Sequence, residues 1–299
     1  MRHRFSKVTA YITLVALVLG NLVVATNAGD ACGTDWPKCN GNFIPDFTDY
    51  RVLVEYSHRL FTGLLGFIIL ISSILAWKRK YIGETAVKVL SLLSLFLLLL
   101  QSLVGGANVL LGTPPGFTTI DATVSLILLA SIVSLTTALE RTKVEPTPEK
   151  LEINHRYRQL FKVTFCAFIL FFLEIIVGAF FKQSGASMLV INEIPDEILI
   201  NSATFSNIIY SIHGIANTII LLSAAYAMFW SIKKNVLTKH AVTFFILIVM
   251  NGIVGFLTQS SGLNVFFSSL HMIIAMITVF QGTYFITKLY VGPYFFKKT

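Results

Sequence analysis

The chain carries eight apolar blocks, each long enough to cross a lipid bilayer, at residues 8–26, 53–77, 85–110, 118–140, 160–182, 208–231, 241–259 and 265–291. A spanning helix needs about 20 predominantly apolar residues. In lipid every backbone N–H and C=O must be paired within the protein, and a helix does this within one segment. The blocks leave no connection long enough for a separate soluble domain. The expected fold class is therefore all-α, a polytopic membrane protein with eight transmembrane helices. Charged residues make up only 13% of the chain, against about 25% in soluble domains.

The net charge of +8 is spread in a pattern that speaks of topology. Basic residues gather at Arg2, Arg4 and Lys7, at Lys78, Arg79 and Lys80, and at Arg141, Lys143, Lys150, Arg156 and Arg158. They return at Lys233, Lys234 and Lys239, and at Lys297 and Lys298. These are alternate connections between blocks. The opposite connections hold Asp30, Asp35, Asp46 and Asp49, a nearly neutral loop at 111–117, and Glu193, Asp196 and Glu197. The positive-inside rule then puts both termini in the cytoplasm of a cell membrane. The charge needs no nucleic-acid partner; the expected surroundings are membrane lipid. The first block has a basic start and small residues near Ala28, as a cleaved signal would. Its apolar run of about 18 residues exceeds the 7–15 of a signal core, so it is expected to stay as the first helix.

The chain repeats itself at half length. Gln101, Gly105 and Gly112 form a triplet at the end of the third block. Glu174, Gly178 and Gly185 repeat it, as do Asn251, Gly255 and Gly262. A step of four residues keeps the first two members on one helix face, and small residues there allow close helix approach. His58 and His213 lie 155 residues apart, and Asp121 and His271 lie 150 apart. Two pseudo-symmetric four-helix bundles follow: an N-terminal half at 1–140, a linker at 141–159 containing Pro146 and Pro148, and a C-terminal half at 160–299.

His58, Asp121, His213 and His271 are four ionisable or ligating side chains, each one to two turns inside the outer end of its block. Such groups inside membrane helices are costly and mark function. A histidine pair on two separate helices suits the iron of a heme, one imidazole on each side of the macrocycle. His213 and His271 are that pair, with Gly214, Ala216 and Ala275 leaving room for a flat porphyrin. Tyr210, Ser211, Ser268 and Ser269, or nearby carbonyls, could orient the rings through their second nitrogens. In the first half, Glu55 and His58 share a helix face. Glu55 reads either as a proton acceptor beside a substrate or as a solvated carboxylate at a helix start. Arg59 reads either as a partner for a propionate or as a snorkelling cation. Asp121 could hydrogen-bond a water, orient His58, carry protons or sit as a helix N-terminal acid. Cys32 and Cys39 flank Trp36 and Pro37 in the first outer loop, where a structural disulfide or a redox-exchanging pair are both possible. Cys166 reads as inert packing.

The segment Cys32-Gly-Thr-Asp-Trp-Pro-Lys-Cys39-Asn-Gly, followed by Glu55-Tyr-Ser-His58-Arg59, resembles the bacterial heme A synthases of cytochrome oxidase assembly. Gln101…Gly105-Gly-Ala and the helices of His213 and His271 fit as well. The resemblance implies oxidation of a methyl group of heme o to a formyl group, giving heme a. It implies a resident heme b on His213 and His271. The first half would take the substrate heme, with His58 as ligand, Asp121 opposite and Glu55 near the chemistry. Cys32 and Cys39 would form a disulfide tied to activity. Heme O synthase and cytochrome oxidase assembly proteins would be the partners. The chain departs from the family pattern in having Asp121 where a histidine is usual, and in lacking a second cysteine pair between the fifth and sixth spans. Rival readings are a b-type cytochrome exchanging electrons with quinone, a non-catalytic heme-binding assembly factor, and a proton-coupled transporter using Glu55, Asp121 and Glu174.

Overall fold

The computed structural model describes residues 2–78, 84–114, 116–140, 148–193 and 202–291. Among these, every regular element is a helix: α1 (Arg2–Ala25), α2 (Tyr50–Trp77), α3 (Glu84–Leu110), α4 (Phe117–Leu139), α5 (Pro148–Gln183), α6 (Ala186–Val190), α7 (Ala203–Lys234), α8 (Thr238–Ser260) and α9 (Val265–Val291). All but α6 contain a stretch long and apolar enough to cross a membrane. The chain is a multi-pass membrane protein.

Helix α6 is a single turn that hydropathy did not reveal. Helix α5 starts at Pro148, inside the stretch read as linker, and proline suits a first helical position because its missing N–H would be unpaired there anyway. Helix α7 starts five residues before the expected 208, because Ser202 caps it by accepting from the Phe205 N–H. Arg79, Lys80, linker residues 141–147, Asp196, Glu197, Lys297 and Lys298 lie outside the described residues.

The second glycine of each repeat triplet ends a helix. Gly112, Gly185 and Gly262 have φ of +68°, +77° and +66°, a left-handed conformation that only glycine adopts freely. Each stands two residues past the last residue of α3, α5 or α8.

Helices α1 and α3 both pack against α2 and against α4; α5 and α8 both pack against α7 and against α9. The histidine- and aspartate-bearing helices are thus the ones held between the triplet-bearing helices. The two groups meet along α4, which packs on α5 and α9, and along α1, which packs on α9. Helix α4 is consequently the most interior span, with 67% of its apolar window buried against 22–33% in the others. Polar pairs bind this seam. The Ser134 and Thr287 hydroxyls lie 3.2 Å apart across it, while the Ser6 and Thr136 hydroxyls, 2.8 Å apart, tie α1 to α4 within the first group. Tyr284 donates to Glu140 at 3.0 Å, with Lys288 3.6 Å from the same carboxylate. Such bonds contribute about 0.6 kcal/mol each on average in membranes, so packing carries most of the contact.

Packing inside the second group is tight at Gly282 of α9, where an added Cβ would lie 2.6 Å from Phe168 of α5 and 2.8 Å from Phe244 of α8. Gly282→Val should lower thermal stability in detergent by about 1–3 kcal/mol through overpacking. Gly63→Ala, where nothing stands within 4 Å, should leave the melting temperature near the wild-type value. Differential scanning fluorimetry checks both.

Candidate functional site

Each of the four singled-out side chains packs onto a glycine of a neighbouring helix. An added Cβ would lie 3.1 Å from His58 Cε1 at Gly20, 3.7 Å from Asp121 Oδ1 at Gly105, 3.3 Å from His213 Cε1 at Gly178 and 2.9 Å from His271 Cε1 at Gly255. At the histidines a methyl group would press on or displace the ring. The glycines are therefore cradles, and they place the ligands where two helices approach closely.

The residue one turn before each glycine contacts the same side chain in three of the four cases. Gln101 Nε2 donates to Asp121 Oδ1 at 2.5 Å. Glu174 Oε1 comes into ion-pair contact with His213 Nδ1, without hydrogen-bond geometry. The backbone carbonyl of Asn251 lies 3.0 Å from His271 Nδ1. An imidazole nitrogen facing a carbonyl or carboxylate oxygen carries the proton, so Nε2 of His213 and of His271 is left with its lone pair. The fourth case is α1, where Ala16 precedes Gly20 and His58 Nδ1 is buried with no hydrogen-bond partner. Asn27, seven residues after Gly20, has φ +49°. So α1 carries a fourth triplet, Ala16-Gly20-Asn27. Its spacing is the signal that could have found it; its residue types hid it.

Own-helix hydroxyls do not orient the rings as expected. Tyr210 bonds Gln259, Ser211 bonds the Asn207 carbonyl, and Ser268 accepts from Lys182 at 3.2 Å. Gly214, expected to leave room for a porphyrin, has nothing within 4 Å. His213 lies ten residues beyond Ala203, the first residue of α7, so it is deeper within its helix than the one to two turns expected. Asp121 is no helix cap: Gly116 is the N-cap of α4, and the carboxylate reaches across to α3.

Above the first ligand lies the loop at 26–49, closed by a bond between Cys32 and Cys39. Glu55 is buried rather than solvated, at 3% exposure. It accepts from the Cys32 N–H at 2.7 Å through Oε2 and from Arg59 at 2.5 Å through Oε1. Arg59 is buried too, and it also donates to the carbonyls of Gly33 at 2.8 Å and Lys38 at 3.2 Å. Neither snorkelling nor a free guanidinium describes it: the pair latches the cysteine loop onto α2. Thr113 adds a second tie, donating to Asp30 at 2.9 Å. Cys166 is exposed on α5, not packed inside.

The family described as cytochrome oxidase assembly protein matches residues 3–279. The chain belongs to that family. Among curated relatives, a heme A synthase of Alkalihalophilus pseudofirmus is 31% identical over 82% of each chain. One from Halalkalibacterium halodurans is 29% identical over 92% of this chain and 94% of its own. One from Bacillus mycoides is 30% identical over 90% and 88%.

Within this assembly family the donor set fits a heme on the C-terminal side. His213 and His271 sit on α7 and α9, which are held apart by α5 and α8, and each offers Nε2. On the N-terminal side there is one imidazole, His58 on α2, and the corresponding position on α4 is Asp121, already held by Gln101. Among the described residues no group of three His, Cys, Asp or Glu forms a compact metal cluster.

The latch gives a direct test. Glu55→Ala would leave Arg59 buried without its carboxylate, at a cost of about 3–5 kcal/mol for an unpaired buried charge. Amide hydrogen exchange at Cys32 and Gly33 should accelerate in Glu55→Ala, and much less in Glu55→Gln, which keeps an acceptor.

Proposed function

We propose that this chain is a heme A synthase that oxidises the methyl group of heme o to a formyl group, supplying heme a to cytochrome oxidase. The observation that carries the reading is the set of four glycine-cradled positions, three imidazoles and one carboxylate, in a chain about 30% identical to heme A synthases over most of its length. The division at 1–140, 141–159 and 160–299 then has a chemical meaning. The C-terminal half holds a resident heme b on His213 and His271. The N-terminal half receives heme o, with His58 as its protein ligand.

When bound, heme supplies the oxidative chemistry, and the protein supplies position, ligands and proton acceptors. His58 presents an imidazole whose ring is fixed by packing on Gly20. With Gln101 donating to its Oδ1, Asp121 would act as a hydrogen-bonded acid rather than as a second strong ligand. Glu55 lies one turn from His58 on α2, and its carboxylate is the proton acceptor at Oε1 or Oε2 as the methyl C–H is oxidised. The Cys32–Cys39 loop lies over this end of α2, tied down by Glu55 and Arg59. Arg59 serves the site through the latch, holding Glu55 and the loop carbonyls in place. The reading places the ligand end of the helices on the outer face of the cell membrane, with both termini in the cytoplasm. It makes heme O synthase the donor of substrate and cytochrome oxidase assembly proteins the recipients of product.

Pigment extraction tests the reading. Membranes from cells that make heme o, and that express this chain, should yield heme a by reversed-phase chromatography, and His58→Ala should abolish it while heme o accumulates. Heme o alone from the wild-type chain would favour a carrier that binds heme without converting it, the reading that Asp121 would then explain.

A further inference from the structure

The four cradling glycines differ in what stands one turn before them. Gln101 gives Asp121 an amide, and Asn251 gives His271 a backbone carbonyl. Ala16 gives His58 nothing. Glu174 alone gives a carboxylate to an imidazole, meeting His213 Nδ1 through Oε1.

Glu174 is 7% exposed on α5, between the buried side chains of Phe171 and Ile175. A carboxylate is costly in such a place unless a partner compensates it. His213 is the polar group it meets among the described contacts. Gly178, one turn along the same face, brings the ring within reach, since an added Cβ there would lie 3.3 Å from His213 Cε1. One helix thus supplies both the cradle and the carboxylate for one ring.

We propose that Glu174 is a positioning residue for the resident heme: it holds His213 by Nδ1, so that Nε2 is aimed at the iron, and makes His213 the stronger donor of the two axial imidazoles. The proposal rests on the reading of His213 and His271 as heme ligands. A carboxylate bonded to the distal N–H of a ligating histidine fixes ring orientation and raises the basicity of the metal-bound nitrogen. A stronger donor stabilises the oxidised iron and lowers its reduction potential. His271, bonded to a neutral carbonyl, lacks this push. His58, with no hydrogen-bond partner on Nδ1, is oriented by packing on Gly20 alone and lacks the push, as suits a ligand whose heme must arrive and leave.

The test is a redox titration and low-temperature electron paramagnetic resonance on the purified holoprotein. The variants are Glu174→Gln, which keeps a hydrogen-bonding side chain like that of Gln101, and Glu174→Leu, which removes it. Glu174→Gln should keep the full heme complement with a midpoint potential shifted upward. Glu174→Leu should lose part of its heme and give shifted, broadened low-spin signals in what remains. Wild-type heme content, potential and signals in both variants would overturn the proposal. Should Glu174→Leu fail to accumulate, an unchanged potential in Glu174→Gln overturns it alone. A wild-type protein without a bis-imidazole signal would instead overturn the ligand assignment, and it would do so before any variant is made.

Discussion

The contact of a ligand side chain with a bare glycine backbone is the constraint on which the rest depends. Helices crossing at ordinary distance leave no place for an imidazole edge-on against a neighbour. At Gly20, Gly178 and Gly255 the missing Cβ opens that place, and at Gly255 even a methyl group would stand 2.9 Å from the ring. The packing order follows: α2 and α4 are each held against α1 and α3, and α7 and α9 against α5 and α8. The left-handed turns at Gly112, Gly185 and Gly262 stop the cradle helices at equal distances past their cradles. One repeated backbone device therefore sets where each ligand lies and where each supporting helix ends.

Upon this common frame the two sides are built unequally. His271 is gripped at Nδ1 by a carbonyl, His213 has a carboxylate against its Nδ1, and both can offer Nε2. His58 is gripped by packing alone, and the matching position on α4 is a carboxylate tied to Gln101. The N-terminal side is instead braced from outside. Glu55 and Arg59 pin the cysteine loop to α2, and Thr113, just past α3, pins it through Asp30. Two held imidazoles on one side and a loop-braced single imidazole on the other suit the proposed division between a resident group and an exchanging substrate.

Much of this was legible in the sequence. Hydropathy located all eight spans because lipid demands long apolar helices. It set α1 and α7 short, since their ends run on into polar residues such as Arg4 and Thr204, which hydropathy discounts and helix capping does not. The triplets were visible as spacing, and the three glycine stops and three of the four cradles follow them. The fourth cradle, Gly20, was hidden because Ala16 and Asn27 replace the polar and glycine members. Of the expected ring partners, a carbonyl is found at His271, while the hydroxyls beside the rings bond elsewhere, for a simple reason. Neighbours in sequence such as Ser211 and Ser268 are easy to see, whereas Glu174 and Asn251 reach the rings across a helix interface that spacing alone does not define. Burial of Glu55 and Arg59 was likewise invisible, because it is created by a loop folding back over α2.

The central claim is that the two sides are unequal, with a resident heme on His213 and His271 and an exchangeable one on His58. Optical redox spectra with heme quantification on purified wild-type, His58→Ala and His213→Ala proteins address it most directly. The account predicts that His58→Ala keeps a bis-imidazole b-type heme at near wild-type amount, and that His213→Ala loses it. Retention of that heme in His213→Ala, or its loss in His58→Ala, would contradict the account.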